Sequence, residues 1–198
     1  MTTALLVIDV QNGFCPGGNL AVAGGGEIVL GINALMADYP HVILTQDWHP
    51  AGHSSFASAH EGRQPFEIVE MPYGPQVLWP DHCVQGTGDA AFHPGLDTDR
   101  ARAVIRKGMN PAIDSYSAFF ENDRTTPTGL EGLLRTLGVT DVTLVGLATD
   151  FCVTYSALDA ARLGFRATVR EDLTRAIDLD GSLAAARDEM RAAGVALA

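Results

Sequence analysis

The sequence predicts an α/β fold in which helices cover both faces of a parallel sheet. Short, continuous apolar runs of strand length recur along the chain, the pattern of strands buried on both faces. Most of them are separated by longer segments with apolar residues at helical spacing, which makes successive strands parallel. Composition agrees: over 198 residues, 46% apolar and 19% charged is ordinary globular usage, and the length supports a core without disulfide or metal staples. No linker or internal repeat interrupts the pattern, so one domain, 1–198, is expected.

The elements follow in order. "ALLVIDV" (4–10) is the first strand. Residues 27–39 carry apolar side chains at 28, 29, 32, 35 and 36, a helical period behind a glycine cluster. "HVILTQ" (41–46) is the second strand and "ARAVIRK" (101–107) a weaker third. "TGLEGLLRTLG" (128–138) reads as a helix ended by Gly138. "DVTLVGL" (141–147) is the strongest strand, followed by a helix over 150–164, a strand over 165–170, a helix over 180–194 and a last short strand in "VALA". Residues 47–100, rich in Pro, Gly, His and aromatics, lack periodicity, and a long irregular segment inside a compact domain is usually functional.

Acidic residues outnumber basic ones 24 to 13, a formal net charge of -11. That argues against nucleic acid and anionic membrane as partners, since both require clustered positive charge. A small-molecule substrate is left, and a homo-oligomer is compatible. The three cysteines, Cys15, Cys83 and Cys152, fit a reducing compartment better than a disulfide framework. The start "MTTALLVIDVQNG" lacks a basic leader and reads as a strand rather than a signal peptide or membrane span, so a cytoplasmic location is expected. The basic residues are twelve arginines and one lysine, Lys107. Codon bias explains the arginines, and it makes the retained lysine a question.

Right-handed crossovers align the carboxyl ends of parallel strands along one edge, where ligands bind. Asp9, Asp47, Lys107 and Cys152 all fall at or just after such ends. In an extended chain, residues two apart point the same way, so Asp47 and His49 can present a carboxylate and an imidazole to one point. Pro50 and Gly52 argue against a helix carrying His53 on the same face, and "WPDHC" (79–83) can return His82 as a third ligand. Two His and a carboxylate suit zinc, iron or manganese, although surface histidines give the same pattern. Cys152 sits near a helix N-terminus, where partial positive charge favours thiolate and free backbone N–H groups can bind an oxyanion. A buried structural thiol also fits that place. Asp9 fits a turn cap as well as a base, and Lys107 a solvated strand-end charge. The glycines of "NGFCPGG" match no phosphate-binding fingerprint.

Taken together, "VIDVQNGFCPGGNLAV", "TQDWHPAGHSSF", "WPDHCVQGT", "RKG" and "GLATDFCV" closely resemble the nicotinamidase group of the isochorismatase-like cysteine hydrolases, in the family's order and over nearly the whole chain. The resemblance implies a three-layer α/β/α fold with a six-stranded parallel sheet in the order 3-2-1-4-5-6. It implies a catalytic triad of Asp9, Lys107 and Cys152, with Lys107 reaching across the second strand, and an oxyanion hole from the amides of Ala148 and Cys152. A cis peptide is implied on one side or the other of Ala148. Asp47, His49 and His82 would hold one divalent metal ion, zinc first among zinc, manganese and iron. His53 is a further ligand in some relatives, whereas others use water. Phe14 and Trp79, with Leu20 and Tyr116, would form the substrate pocket. The implied reaction is hydrolysis of nicotinamide, and of analogues such as pyrazinamide, to the acid and ammonia through a cysteine thioester. The alternative within the superfamily is a cysteine amidohydrolase for a carbamoyl or ureido compound. A non-catalytic metal- or thiol-sensing protein on the same fold is the rival from another class.

Overall fold

The computed structural model describes residues 2–198. Its first strand, β1 (Thr2–Ile8), is buried from Ala4 onward. Both faces of this run are apolar, and each such side chain removed from water contributes about 1.5–3 kcal/mol. That places β1 at the middle of the sheet. On one side lie β2 (His41–Asp47) and then β5 (Ala103–Lys107); on the other lie β6 (Val139–Leu147), β7 (Arg166–Arg175) and β8 (Ala196–Leu197). All five neighbouring pairs are parallel. The order β5-β2-β1-β6-β7-β8 is the one the family resemblance implied.

Among the described residues four α-helices connect the strands: α1 (Val29–Leu35), α2 (Leu130–Thr136), α3 (Thr154–Arg162) and α4 (Ser182–Ala192). Because the chain steps outward from β1 in opposite directions, a common right-handed crossover puts α1 on one face of the sheet and α3 with α4 on the other. No helix among the described residues is long and apolar enough to cross a membrane.

Several boundaries differ from the sequence pattern for local reasons. The helical period over 27–39 is divided into a 3-10 turn (Gly25–Ile28), α1 and a second 3-10 turn (Met36–Asp38). The helix expected from 150 begins as a π turn, Thr149–Val153, before α3. β7 continues five residues past the expected end at 170, through the charged stretch "EDLTR". Leu144 pairs with Val169 and Gly146 with Thr174, so β7 bulges against β6 and then rejoins it. The segment 47–100 contains an antiparallel hairpin, β3 (Ile68–Met71) and β4 (Gly74–Val77), that periodicity did not reveal. Its strands are four residues each, mostly exposed or half-buried, and too short to show alternation.

Gly146 shows how tightly the two central strands meet. Its φ is 112°, and a Cβ there would lie 2.1 Å from the Ile8 carbonyl oxygen. Only glycine allows β6 to run this close to the end of β1, immediately before Asp9. We expect Gly146→Ala to destabilise the fold by about 1–3 kcal/mol, the usual scale of forced overpacking. Denaturant unfolding monitored by tryptophan fluorescence measures it, and an unchanged midpoint would show that the sheet yields easily here.

Candidate active site and metal centre

Three strand ends and one turn meet at the carboxyl edge of the sheet. Asp9 follows β1 with φ 47°, a left-handed conformation that Asp tolerates better than most residues. Its amide donates to Thr45 Oγ1 (3.1 Å), and the Thr45 hydroxyl donates to Asp9 Oδ1 (2.6 Å). Lys107 ends β5, directly beside Asp47 in the register of the parallel pair. From there its side chain crosses the end of β2. Nζ reaches Asp9 Oδ2 at 2.9 Å, Asp47 Oδ1 at 3.1 Å, the Ser115 carbonyl at 2.7 Å and Cys152 Sγ at 3.5 Å.

Burial sets the proton affinities of this group, and its charges then redistribute them. Loss of water would lower the Lys107 ammonium, but Asp47 and Asp9 lift it well above the usual lysine range. Burial raises Asp9, against the pull of Lys107 and with the help of Asp47. It also pushes the Cys152 thiol well up; Lys107 opposes this, while Asp9 and Asp47 add to it. Burial thus favours the thiol over the thiolate at Cys152, beside a carboxylate of raised basicity, and works against the pull of a helix N-terminus. Asp9 Oδ2 accepts no well-aligned hydrogen bond among the described residues, which leaves a lone pair free for the thiol proton.

Asp47 uses its second oxygen elsewhere. Oδ2 lies 3.0 Å from His49 Nε2 and 3.2 Å from His82 Nε2. The other nitrogens face carbonyls, His49 Nδ1 that of Gly108 at 3.0 Å and His82 Nδ1 that of Pro80 at 2.8 Å. A carbonyl can only accept, so both Nδ1 atoms carry the proton and, in the neutral rings, both Nε2 lone pairs face a carboxylate oxygen. Three acceptors pointed at one another call for a cation between them, and two imidazoles with a carboxylate suit a divalent metal ion. The same demand shows in the titration of the pair. Burial would lower His49, yet Asp47 raises it; burial would raise Asp47, yet His49 and Lys107 hold it well below the usual carboxylate range.

The remaining histidines stand apart. His53 groups with His49 and Asp114 rather than with Asp47 and His82. Its Nε2 donates to the Asn110 carbonyl (2.7 Å) and its Nδ1 lies 2.8 Å from the Ser55 hydroxyl, so both nitrogens are engaged. His41 begins β2, at the far end of the strand from Asp47. His60 donates to the Ser54 carbonyl, and His93 accepts from the Gly95 amide.

Above these groups is a pocket with Phe14, Leu20, Trp79, Tyr116, Phe151 and Ile177 as its apolar lining. Asp47, His82, Asp114 and Ser115 add polar side chains, and Ala148 and Cys152 complete the lining. Trp79 meets Phe151 edge-on (4.9 Å between ring centroids), and its indole N–H donates to Tyr116 Oη at 3.1 Å. The peptide bond Leu147–Ala148 is cis.

The isochorismatase domain family matches residues 3–198 of this sequence. The chain belongs to that family. Within it, the nicotinamidase of Acinetobacter baylyi is 56% identical over 192 residues, covering 97% of this chain and 90% of the relative. The structure of an Acinetobacter baumannii nicotinamidase/pyrazinamidase superposes with a TM-score of 0.98 at 55% identity, covering 99% of this chain and 95% of that one. A Pyrococcus horikoshii pyrazinamidase in complex with zinc gives 0.80 at 32% identity, covering 100% and 99%.

The structure of this family member brings Asp9, Lys107 and Cys152 into one cluster and Asp47, His49 and His82 into another, joined by Asp47 and Lys107. Phe14, Leu20, Trp79, Tyr116 and Ala148 all line the pocket. Sequence reasoning missed Gln11, a fully buried side chain. Its amide donates to the Asp47 carbonyl and accepts from the Asp47 N–H, both at 2.8 Å, extending the ladder between β1 and β2 past the end of β1. A polar residue just after an apolar strand was the available signal. Phe151, Asp114 and Ser115 were also missed; Phe151 adjoins the nucleophile in the quoted motif, whereas Asp114 and Ser115 follow Lys107 in a loop without pattern. Ile177 carried no signal at all.

We expect His82→Ala to weaken binding of zinc by at least about 10–100-fold, the range already seen when only an outer partner of a ligand is lost. His41→Ala, His60→Ala and His93→Ala should leave it unchanged. Metal analysis after dialysis against a buffered zinc solution checks both, and full stoichiometry in the His82 variant would move the third ligand to another residue.

Proposed function

We propose that the chain, acting as one domain over 1–198, is an amidohydrolase that converts nicotinamide to nicotinate and ammonia, with analogues such as pyrazinamide as further substrates. The observation that carries this is the buried Lys107 ammonium within 3.5 Å of Asp9, Asp47 and Cys152, under a flat aromatic pocket, in a chain so similar to nicotinamidases. The amide carbon lies against Cys152 and the ring between Phe14 and Trp79, with Leu20 and Tyr116 completing the walls. A divalent ion on Asp47, His49 and His82, which we take to be zinc with manganese or iron served by the same donors, supplies a Lewis-acid anchor for the pyridine nitrogen when bound.

Cys152 gives its proton to Asp9 as sulfur attacks the amide carbon; the carbonyl electron pair moves onto oxygen, where the Ala148 and Cys152 amides hold it. On collapse the C–N bond breaks, and Asp9 protonates the departing nitrogen, releasing ammonia and leaving a thioester. Water then attacks the acyl carbon with Asp9 as base. The C–S bond breaks, the proton returns from Asp9 to sulfur, and nicotinic acid ionises on release. Lys107 stays charged throughout and offsets the negative charge that alternates between Asp9 and sulfur. The enzyme belongs in the cytoplasm on this reading, where the thiol stays reduced.

Ammonia release from nicotinamide by protein of known zinc content tests the assignment. No turnover of nicotinamide, with release from a carbamoyl or ureido compound instead, would transfer the chain to the other amidohydrolase class. Cys152→Ala should abolish turnover and leave the unfolding midpoint nearly unchanged, whereas Cys15→Ser and Cys83→Ser should retain far more activity. Lys107→Arg should lose most of kcat/KM with metal content intact. Ammonium is a compact point charge with three rotatable donors; the planar guanidinium would grip Asp9 with two parallel bonds and keep it from the sulfur. An arginine variant as active as wild type would reduce Lys107 to generic positive charge.

A further inference from the structure

Asp150, two residues ahead of Cys152, is buried yet takes no part in the chemistry above. It lies in the π turn Thr149–Val153 that carries the nucleophile. Its carboxylate accepts three hydrogen bonds from a single segment: the Ile177 amide at 3.0 Å, the Asp178 amide at 2.7 Å and the Ser182 hydroxyl. That segment runs from the end of β7 into the start of α4, and its backbone enters the left-handed region. Asp178 and Asp180 have φ of 55° and 51°, and Gly181 has 84°. Asp tolerates this region better than most residues, and at Asp178 the Asp150 carboxylate clamps the backbone in place through the amide.

The clamp has a consequence for the pocket, because Ile177 is one of its walls, along with Phe151 and Cys152. A surface loop would ordinarily leave such a wall free to shift. Here the wall is bonded to the turn that holds the sulfur, so the distance between them is set by short, charge-assisted hydrogen bonds. We infer that Asp150 is a positioning residue that fixes Ile177 against the nucleophile turn and thereby sets how well ring substituents fit beside the sulfur.

This rests on the amidohydrolase reading and specifies which wall of its pocket tunes the fit of the ring. A capping carboxylate with a purely structural role would affect stability and kcat without changing which ring fits. A wall-positioning role acts on substrate fit, so KM and the substrate range move most.

The test compares Asp150→Asn, Ser182→Ala, Ile177→Ala and the Asp150→Asn/Ile177→Ala double variant, on nicotinamide and on ring-methylated nicotinamides. Asp150→Asn should raise KM for nicotinamide by about 10-fold, the worth of one pocket contact, with a smaller fall in kcat, and should improve the methylated amides relative to nicotinamide. Ile177→Ala should do the same with Asp150 intact. The double variant should be no worse than either single one, since both act through the same wall. Ser182→Ala keeps the carboxylate and should move KM in the same direction by a smaller factor, which covers the case of an Asp150 variant that fails to fold. Hydrogen exchange of the Ile177 and Asp178 amides gives a readout independent of substrate: slow in wild type, fast in Asp150→Asn. An active wild type whose variants keep its KM and substrate range would overturn the inference, as would fast wild-type exchange at those two amides. A wild type that releases no ammonia from nicotinamide, with both amides protected, would overturn the functional reading instead.

Discussion

The buried ammonium of Lys107 is the interaction on which the rest of the site depends. Removing an ion from water costs several kcal/mol even after relaxation, and attraction to its neighbours repays this only with good geometry and with every donor used. Lys107 meets both conditions, facing two carboxylates, a backbone carbonyl and a thiol. One ammonium against two carboxylates leaves the cluster short of positive charge. That shortfall sits on the Asp47 side, where two imidazole lone pairs face the remaining oxygen. The triad and the metal centre are thus two halves of one charge balance, with Asp47 shared between them. Replacing the shared Asp47 would disturb both the acid–base chemistry and the cation affinity.

Parallel topology makes this balance possible. The ends of β1, β2 and β5 lie side by side, and strands in a sheet are spaced by less than 5 Å. A lysine on the edge strand can then cross one neighbour and meet the carboxylate after the next. The close approach of β6 at Gly146 brings the nucleophile turn to the same edge. Gln11 locks the ladder just beyond β1 by imitating a strand residue with its side-chain amide. Small positional errors at these ends would matter, because near-attack geometry tolerates little displacement.

The apolar walls come from different parts of the chain. Leu20 lies in the loop after β1, Trp79 after the hairpin, Tyr116 after β5 and Ile177 after β7. Among them Trp79 and Tyr116 meet edge-on with each other and with Phe151, and a hydrogen bond runs from Trp79 to Tyr116. A pocket with apolar, largely aromatic walls and a few polar groups suits a small aromatic ligand.

By itself the sequence determined the sheet and its covering helices, because strands buried on both faces must be apolar without interruption, as in "ALLVIDV" and "DVTLVGL". It also determined which residue types lay at the strand ends, and the single lysine among twelve arginines marked Lys107. Composition and spacing left Cys152, Asp9 and Lys107 each with a bland alternative; only the order of several motifs together singled out one family. The tertiary structure bore out that Lys107 reaches Asp9 across β2, and it alone showed that burial pushes the Cys152 thiol up and that both His53 nitrogens are taken up by other partners. It alone revealed the β3–β4 hairpin, Gln11 at the strand ends, and Ile177 beside a nucleophile 25 residues earlier in the chain. The physical reason is one of range. Burial and periodicity act along a few residues and are written locally, whereas charge balance, tautomer and pocket shape depend on groups that meet only when distant segments fold together.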